Sequence, residues 1–114
     1  FLDAPQEAFA TLANQYFANS QLMLDFCKTR WDAGHRSNIN QFILIADYLS
    51  GGNDEVPFYT LRPGGGLRVT TARLTRDEKN RITSVQSPSS IANFKYADQV
   101  LVGEFELAPL KDNH

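Results

Sequence analysis

The chain has 114 residues, of which 42% are hydrophobic, 11% aromatic and 21% charged. This length fits one domain, residues 1–114, and the composition is that of a folded globule, which excludes a fibre or a disordered chain. Eleven basic and thirteen acidic residues are scattered along the chain and give a formal net charge of -2. Nucleic acid and anionic membrane surfaces are not expected as partners, because both call for a basic surface.

The chain contains no run of about 18 apolar residues, so we expect a soluble protein without a membrane span. A single cysteine, Cys27, cannot form an internal disulfide, and its position on an apolar helix face predicts a buried core residue. One cysteine favours the cytoplasm, although a chain that begins with Phe1 instead of Met leaves the compartment open.

The first predicted element is one long helix that begins at Ala4 and ends before Gly34, which suits a left-handed position after the helix. Asn19 and Ser20 have low helix propensity, so the competing prediction is a helix to Ala18 followed by a second element. The apolar side chains recur at spacings of three and four: Phe9, Leu12, Ala13, Tyr16, Phe17, Met23 or Leu24, Cys27 and Trp31.

This apolar face cannot be buried by the helix alone, so the rest of the chain must supply the surface that covers it. Phe17 is predicted to lie at the middle of the buried face. Its replacement by Ala is therefore expected to cost about 3–5 kcal/mol of stability, as truncations of core Phe do.

The second segment, Asn38–Leu49, fits a helix by the spacing of its apolar residues, and Ser37 is placed to cap it. Residues 42–45 are also a short β-rich run, so a strand is the alternative. Its length and its polar start favour the helix. The glycine-rich residues 50–54 end the segment in either case.

From Val56 onward the chain alternates apolar and polar residues, which predicts about four antiparallel strands. The apolar parity changes within residues 66–75, and this indicates a β-bulge near Thr70 and Thr71. Ile91 and Phe94 are predicted to form one helical turn after the turn at residues 87–90. The last strand, residues 100–107, would place Leu101, Gly103, Phe105 and Leu107 on one face.

These elements predict an α+β fold in which a long helix and a second helix pack on a curved antiparallel sheet. The element order is similar to the cystatin-like cone shared by nuclear-transport-factor-like and ketosteroid-isomerase-like proteins. The resemblance is one of fold outline and brings no site residue with it. Pilin-like domains also place a long N-terminal helix on an antiparallel sheet, so the outline is not unique.

No metal, nucleophile or cofactor motif is present in the sequence, and no cofactor is expected. The two histidines, His35 and His114, lack partners at the spacing of metal ligands. A pair of Cys27 and His35 would lie on opposite sides of a helix end, so nucleophilic catalysis is not expected there.

The glycine-rich stretch between Arg62 and Arg68 is a candidate anion site. Its glycines, Gly65 among them, expose backbone N–H groups between two arginines. A P-loop would continue into a helix with Lys and Ser or Thr, whereas these glycines lead into a strand. A flexible hairpin turn explains them more simply.

Asp47 is the best candidate for an acid–base residue or a ligand contact, because apolar residues flank it and burial would raise the pKa of its carboxyl group. Asp98 and Glu104 come next. Tyr48 and Tyr59, or Tyr16, would supply a hydroxyl beside the acid in a pocket between helix and sheet. The simpler alternative places Asp47 on the outer face of its helix, paired with water or a basic neighbour.

Val100, Val102, Glu104 and Glu106 alternate with the apolar face of the last strand and form a mixed surface that would suit a homodimer contact.

Two functional hypotheses follow from the sequence. The first is a non-enzymatic interaction module, expected to be dimeric, that binds a protein partner or a small apolar ligand. The alternative is an isomerase, cyclase or hydratase with Asp47 as general base, which rests on the fold outline.

Overall fold

A computed structural model describes residues 13–99 and 101–110 and shows an α+β fold. Three helical segments come first and five strands follow. The predicted helix start at Ala4 and residues 111–114 lie outside the described residues. The elements are α1 (13–18), α2 (Ser20–Asp32), α3 (Ser37–Ser50), β1 (Glu55–Leu61), β2 (Leu67–Arg76), β3 (Ile82–Gln86), β4 (Ser90–Tyr96) and β5 (Val102–Pro109).

The first helix is interrupted at Asn19, so the prediction of one continuous helix is wrong and the competing one is confirmed. Asn19 has an extended backbone (φ -167°, ψ 94°), and its side chain accepts a hydrogen bond from the Leu22 N–H at 3.0 Å. An Asn side chain competes for backbone N–H groups in this way, which is why it favours a cap over a helix interior.

The end of α2 follows the sequence prediction. Gly34 adopts φ +95°, its N–H donates to the Trp31 carbonyl, and the next N–H, of His35, donates to the Arg30 carbonyl at 2.8 Å. This pair of hydrogen bonds is a Schellman motif, which satisfies the last carbonyl groups of the helix. A residue with a Cβ would be strained at this φ.

The second segment is a helix, α3, which confirms the preferred prediction over the strand. Ile39, Phe42, Ile45 and Ala46 form its buried face, while Leu44 points to solvent. Residues 42–45, the run that could have formed a strand, are therefore divided between the buried and the exposed face of a helix. None of the helices in the described residues is long and apolar enough to cross a membrane.

The strands form one antiparallel sheet in the order β1-β2-β3-β4-β5. The fifth strand arises because Ser90–Tyr96, where a turn and a helical turn were predicted, is β4. Ala92 and Phe94 are buried on its inner face and pair with Leu107 and Phe105 of β5. The prediction of a helical turn at Ile91 and Phe94 is therefore wrong, because cross-strand packing decides the local conformation.

The predicted bulge near Thr70 and Thr71 is also wrong. The register of β1 and β2 runs without interruption from Glu55↔Arg73 to Leu61↔Leu67. The parity of apolar residues changes for another reason. Ala72 and Leu74 face the core, whereas Leu67 and Val69 belong to the opposite, exposed face of a regular strand.

Irregular register occurs at two other places: between Thr75 and Arg76, where β2 pairs with β3, and opposite Gly103, between Lys95 and Tyr96. Here Tyr96 pairs with Val102 and Lys95 pairs with Glu104, so Gly103 is the extra residue of a bulge. Val102 and Phe105 are consequently both buried, and Leu101 is exposed. The predicted alternation of faces in the last strand is therefore wrong for the residues before Glu104. Val102, which was predicted to lie on the dimer surface, is buried in the core. Val100 lies outside the described residues.

The sheet curls around α2, whose side chains reach both edge strands. At the β1 edge, Ser20 Oγ accepts a hydrogen bond from the Tyr59 N–H at 2.9 Å. At the β5 edge, Lys28 Nζ donates to the Phe105 carbonyl at 3.2 Å, and the Trp31 and Phe105 rings pack edge to face at 5.9 Å. The core lies between the inner face of the sheet and the helices.

Tyr16, and not Phe17, is the buried aromatic residue of α1. Tyr16 has no exposed surface and contacts Phe42 and Phe58 at ring distances of 5.5 and 6.1 Å. Phe17 is 42% exposed and packs against Tyr59 at the rim. The prediction that Phe17 lies at the middle of the buried face is wrong, because the neighbouring residue occupies that position.

Candidate functional site

Asp47 lies on the solvent side of α3, and its side chain is 53% exposed. Its Oδ1 accepts a hydrogen bond from the Arg76 guanidinium at 2.8 Å. This matches the simpler of the two predictions for Asp47, in which it lies on the outer face of its helix and pairs with a basic neighbour. It does not occupy the enclosed apolar site that would make it a general base.

Arg76 is the centre of a structural cluster that joins the end of α3 to β2. Besides Asp47, its guanidinium donates to Ser50 Oγ at 3.0 Å, the Asn53 carbonyl at 3.3 Å and the Asn80 carbonyl at 3.2 Å. Backbone carbonyls on two separate turns are held by one side chain. This arrangement fixes the path of the chain between the end of α3 and β2.

The two tyrosines predicted beside Asp47 are not brought together with it. Tyr48 is 77% exposed on α3. Tyr59 pairs with Val69 in β1–β2, seven residues along β2 from the position of Arg76, which corresponds to about 23 Å of strand. Asp47, Tyr48 and Tyr59 therefore do not form one site, although Tyr59 belongs to the exposed surface described below.

The candidate anion site is a tight turn between β1 and β2. The Arg62 N–H donates to the Gly66 carbonyl and the Gly65 N–H donates to the Arg62 carbonyl, both at 2.9 Å. The Gly65 N–H is thus used inside the turn, and Gly65 itself adopts φ +101°, which requires glycine. Arg62 and Arg68 form no ion pair with any described residue.

The other candidate groups occupy separate places. Glu104 is exposed on the outer face of β5, opposite Lys95, and Asp98 accepts the Leu101 N–H in a turn. Cys27 is buried, and burial raises the pKa of its thiol to about 12, so it is not a nucleophile near neutral pH. Within residues 13–99 and 101–110, no group of three or more His, Cys, Asp or Glu side chains could hold a metal.

The β1–β2 hairpin carries a group of exposed apolar side chains. On the face of the hairpin opposite the buried Val56 and Phe58, Tyr59 pairs with Val69 and Leu61 pairs with Leu67, and the Tyr59 ring is half-buried against α1. Leu61, Leu67 and Val69 are 58%, 49% and 60% exposed, and Phe17 extends the surface by packing on Tyr59 at a ring distance of 5.3 Å. We call these five residues the hairpin patch.

Sequence reasoning missed the hairpin patch, although its signal is present. Residues at i and i+2 in one strand, facing their cross-strand partners, must share a face. The alternation of Leu67 and Val69 with polar residues was correctly read as a strand. It did not show that Leu61, Leu67 and Val69 remain exposed in the folded chain.

The hairpin also differs in charge from the rest of the chain. Residues 56–75 contain three arginines, Arg62, Arg68 and Arg73, and none of the thirteen acidic residues. The hairpin segment therefore has a formal charge of +3, and the remaining chain has a charge of -5 within the net -2. The net charge of -2 is therefore the sum of a positively charged hairpin and a negatively charged remainder, and the charges are not scattered evenly along the chain.

No protein-family model matches the chain, and neither the curated proteins nor the solved structures contain a significant match. The resemblance to a cystatin-like cone thus stays an expectation.

Proposed function

We propose that the chain is a non-enzymatic interaction module that binds a protein partner through the hairpin patch. The observation that carries this proposal is the contiguous group of exposed apolar side chains Leu61, Leu67 and Val69, which the half-buried Tyr59 joins to the exposed Phe17. Single exposed apolar residues are ordinary on protein surfaces, whereas contiguous groups mark interaction sites. The hairpin patch belongs to the second kind.

The mode of binding follows from the edges of the sheet. At β1, the Pro57 carbonyl and the Tyr59 N–H are already bonded to the side chains of Tyr16 and Ser20. At β5, the Val102 N–H donates to Asn40 Oδ1 at 3.2 Å. A partner strand cannot pair with these occupied groups, so we expect the partner to contact the face of the hairpin through side chains.

A second copy of the chain is the alternative occupant, since a homodimer was expected from the sequence. The predicted dimer surface on β5 loses Val102 to the core. A symmetric contact between two hairpin patches would bring together two segments of charge +3, and this repulsion disfavours it. A different protein is therefore the partner that we propose.

The enzyme alternative lacks support from the geometry, because Asp47 pairs with Arg76 at the surface. A small apolar ligand would have to use the groove of about 350 Å³ along α1 and α2, whose lining includes Ala18, Leu22 and Phe26. That groove is open, whereas ligand sites bury most of the ligand surface. The hairpin patch is the stronger candidate.

The test uses peptides selected by the immobilised domain from a random display library. Their affinities are measured by fluorescence anisotropy for the wild type, for Leu61→Ser/Leu67→Ser and for the control Leu44→Ser. Leu44 is 57% exposed on α3, so it matches the two hairpin leucines in type and exposure. We expect the double variant to lose at least tenfold in affinity, or about 1.4 kcal/mol, while the control binds like the wild type.

Peptide-induced shifts of backbone amide resonances locate the contact, and we expect them to centre on Tyr59, Leu61, Leu67 and Val69. Equal affinities for wild type and double variant, or shifts centred elsewhere, would refute the proposal. Light scattering of the free domain measures its oligomeric state and so tests whether a second copy of the chain occupies the hairpin patch. A dimer that dissociates in Leu61→Ser/Leu67→Ser would identify a second copy as the partner and overturn the proposal of a different protein.

A further inference from the structure

We infer that the hairpin patch takes an acidic segment of its partner, in which apolar residues are flanked at both ends by carboxylates. The inference rests on the proposed function and names the chemistry of the partner. It follows from the distribution of the arginines along the hairpin, from their lack of ion pairs, and from the negative charge of the rest of the chain.

Two arginines lie at opposite ends of the hairpin patch. Arg62 follows Leu61 directly and begins the turn. Arg73 lies on the same face of β2 as Leu67 and Val69, because it is separated from each by an even number of residues. Leu67 pairs with Leu61, the residue before Arg62, and from Leu67 to Arg73 the strand rises about 20 Å. The positions of the two arginines along the hairpin therefore suit an extended partner segment with acidic groups about six residues apart.

The hairpin arginines have no ion-pair partners in the described part of the chain. The ion pairs found there are Lys28–Asp32, Arg76–Asp47 and Arg81–Asp77. Arg73 has Glu55 as its cross-strand neighbour, yet no contact within 4.0 Å joins the two. The guanidinium groups of Arg62 and Arg73, and that of Arg68 on the other face of β2, thus have no ion-pair partner among residues 13–99 and 101–110.

An acidic partner is favoured by the chemistry of these groups. Arginine binds carboxylates through two parallel hydrogen bonds, and such pairs strengthen when neighbouring apolar contacts exclude water. The apolar side chains between Arg62 and Arg73 supply that exclusion. Basic partners would meet the hairpin's charge of +3 with like charge, so the same residues that attract acidic segments reject basic ones.

An anionic membrane offers negative charge as well, but the shape of the hairpin fits it less. The turn itself consists of Arg62, Pro63 and three glycines, and the large apolar side chains lie along one face of the strands behind it. Membrane insertion of a hairpin needs its apolar side chains at the tip, where they can enter the acyl region. A flat apolar face bordered by arginines fits a protein surface.

The experiment uses three synthetic peptides that differ only in charge. Each has alternating leucine and threonine residues in the middle and two glutamates, two glutamines or two lysines at each end. Binding is followed by amide resonances of the hairpin at about 50 and about 300 mM NaCl. The variant is Arg62→Glu/Arg73→Glu, and the control Lys79→Glu/Lys95→Glu makes the same change in formal charge away from the hairpin.

We expect the glutamate peptide to bind at least tenfold more tightly than the glutamine peptide, and the lysine peptide not to bind. Arg62→Glu/Arg73→Glu should remove this preference. At about 300 mM NaCl the control should stay within twofold of the wild type, because charges beyond a Debye length of under about 10 Å are screened.

Glutamate and glutamine peptides that bind equally at the hairpin would overturn the charge inference and leave the proposed function standing. Selected peptides that bind away from the hairpin would instead refute the proposed function, and with it this inference. Vesicles containing phosphatidylglycerol are tested in parallel. Hairpin binding to vesicles without binding to the glutamate peptide would assign the patch to a membrane and overturn the inference.

Discussion

The Tyr16 hydroxyl donates a hydrogen bond of 2.6 Å to the Pro57 carbonyl oxygen and so joins α1 to the free edge of β1. The two residues are 41 positions apart in the sequence. Burial is the main cause that raises the pKa of Tyr16 well above its usual range, so this hydroxyl stays protonated and remains a donor at any ordinary pH.

Replacing Tyr16 by Phe should destabilise the fold by about 1–3 kcal/mol, because the ring contacts remain while the buried end of α1 loses its part-buried hydrogen bond to the Pro57 carbonyl. Urea denaturation followed by fluorescence measures the change. Tyr48→Phe serves as the matched control, since Tyr48 is exposed. Equal midpoints for the two variants would show that water replaces the lost hydroxyl at Pro57.

Gly103 is required by a close approach of two chain segments. A Cβ at this position would lie 2.8 Å from the Ala97 Cβ and 3.2 Å from the Ala97 Cα and N. Because the last two are backbone atoms, the strand must shift to admit a methyl group. Gly103→Ala should therefore cost about 1–3 kcal/mol, as overpacking does.

The contact is tested by a double-mutant cycle with Ala97→Gly, which removes the nearest atom. In the presence of Ala97→Gly, the cost of Gly103→Ala should fall but not vanish, since the backbone contacts at 3.2 Å remain. Denaturation midpoints of the four proteins give the coupling energy. If the two substitutions change the free energy of unfolding additively, the methyl group at position 103 does not clash with Ala97, and the bulge in β5 accommodates it.

Asp77 organises the turn between β2 and β3. Its Oδ1 accepts the Lys79 and Arg81 N–H groups, both at 2.9 Å, and its Oδ2 accepts Arg81 Nε at 2.9 Å. The Arg81 N–H is the largest cause that lowers the pKa of this carboxyl group in the folded chain. The ionised form is thus favoured by folding.

A carboxyl pKa that is lower in the folded state gives stability above the unfolded pKa, near 4, and this stability is lost as the pH falls through the folded value. Asp77→Asn should therefore be less stable than the wild type above about pH 5, with the difference shrinking below about pH 4. Thermal midpoints from pH 7 to pH 2 measure it. A difference that is constant with pH would assign the effect to hydrogen-bond geometry alone.

Local signals in the sequence predicted much of the fold. The spacing of Ile39, Phe42 and Ala46 predicted α3, and Gly34 predicted the end of α2, because both features depend on neighbouring residues. β4 was missed since Ala92 is small and its alternation with Phe94 is short. Its conformation is imposed by pairing with β3 and β5, which a local pattern does not contain.

The candidate sites were harder to predict, because they depend on contacts between distant residues. Asp47 was singled out for its apolar neighbours in sequence, but its environment is set by Arg76, 29 residues away. The turn that begins at Arg62 was predicted correctly, yet the Gly65 N–H proposed for an anion donates inside the turn. The exposed face of the hairpin could be recognised only once the helices were seen to cover the other face.

Arg76 provides a prediction that separates its structural contacts from its ion pair. Arg76→Lys keeps the charge but cannot reproduce the hydrogen bonds to Ser50 and to the two backbone carbonyls, so it should cost about 1–3 kcal/mol. Asp47→Asn removes an exposed carboxylate and should cost less than about 1 kcal/mol. Urea denaturation of both variants gives the comparison. A larger loss for Asp47→Asn would show that the carboxylate dominates the cluster.

Cys27 should be protected from thiol reagents in the native state. Its side chain is buried on α2, and burial raises the pKa of the thiol to about 12, so both access and the thiolate population are low at pH 8. We expect Ellman's reagent to react at a rate limited by opening of the fold, accelerating in urea in parallel with unfolding. Rapid reaction in the absence of urea, at the rate of a free thiol, would contradict the packing of α2 against the sheet. Tyr16→Phe should increase the native-state rate, since it weakens the fold that buries Cys27, whereas Tyr48→Phe should leave the rate unchanged.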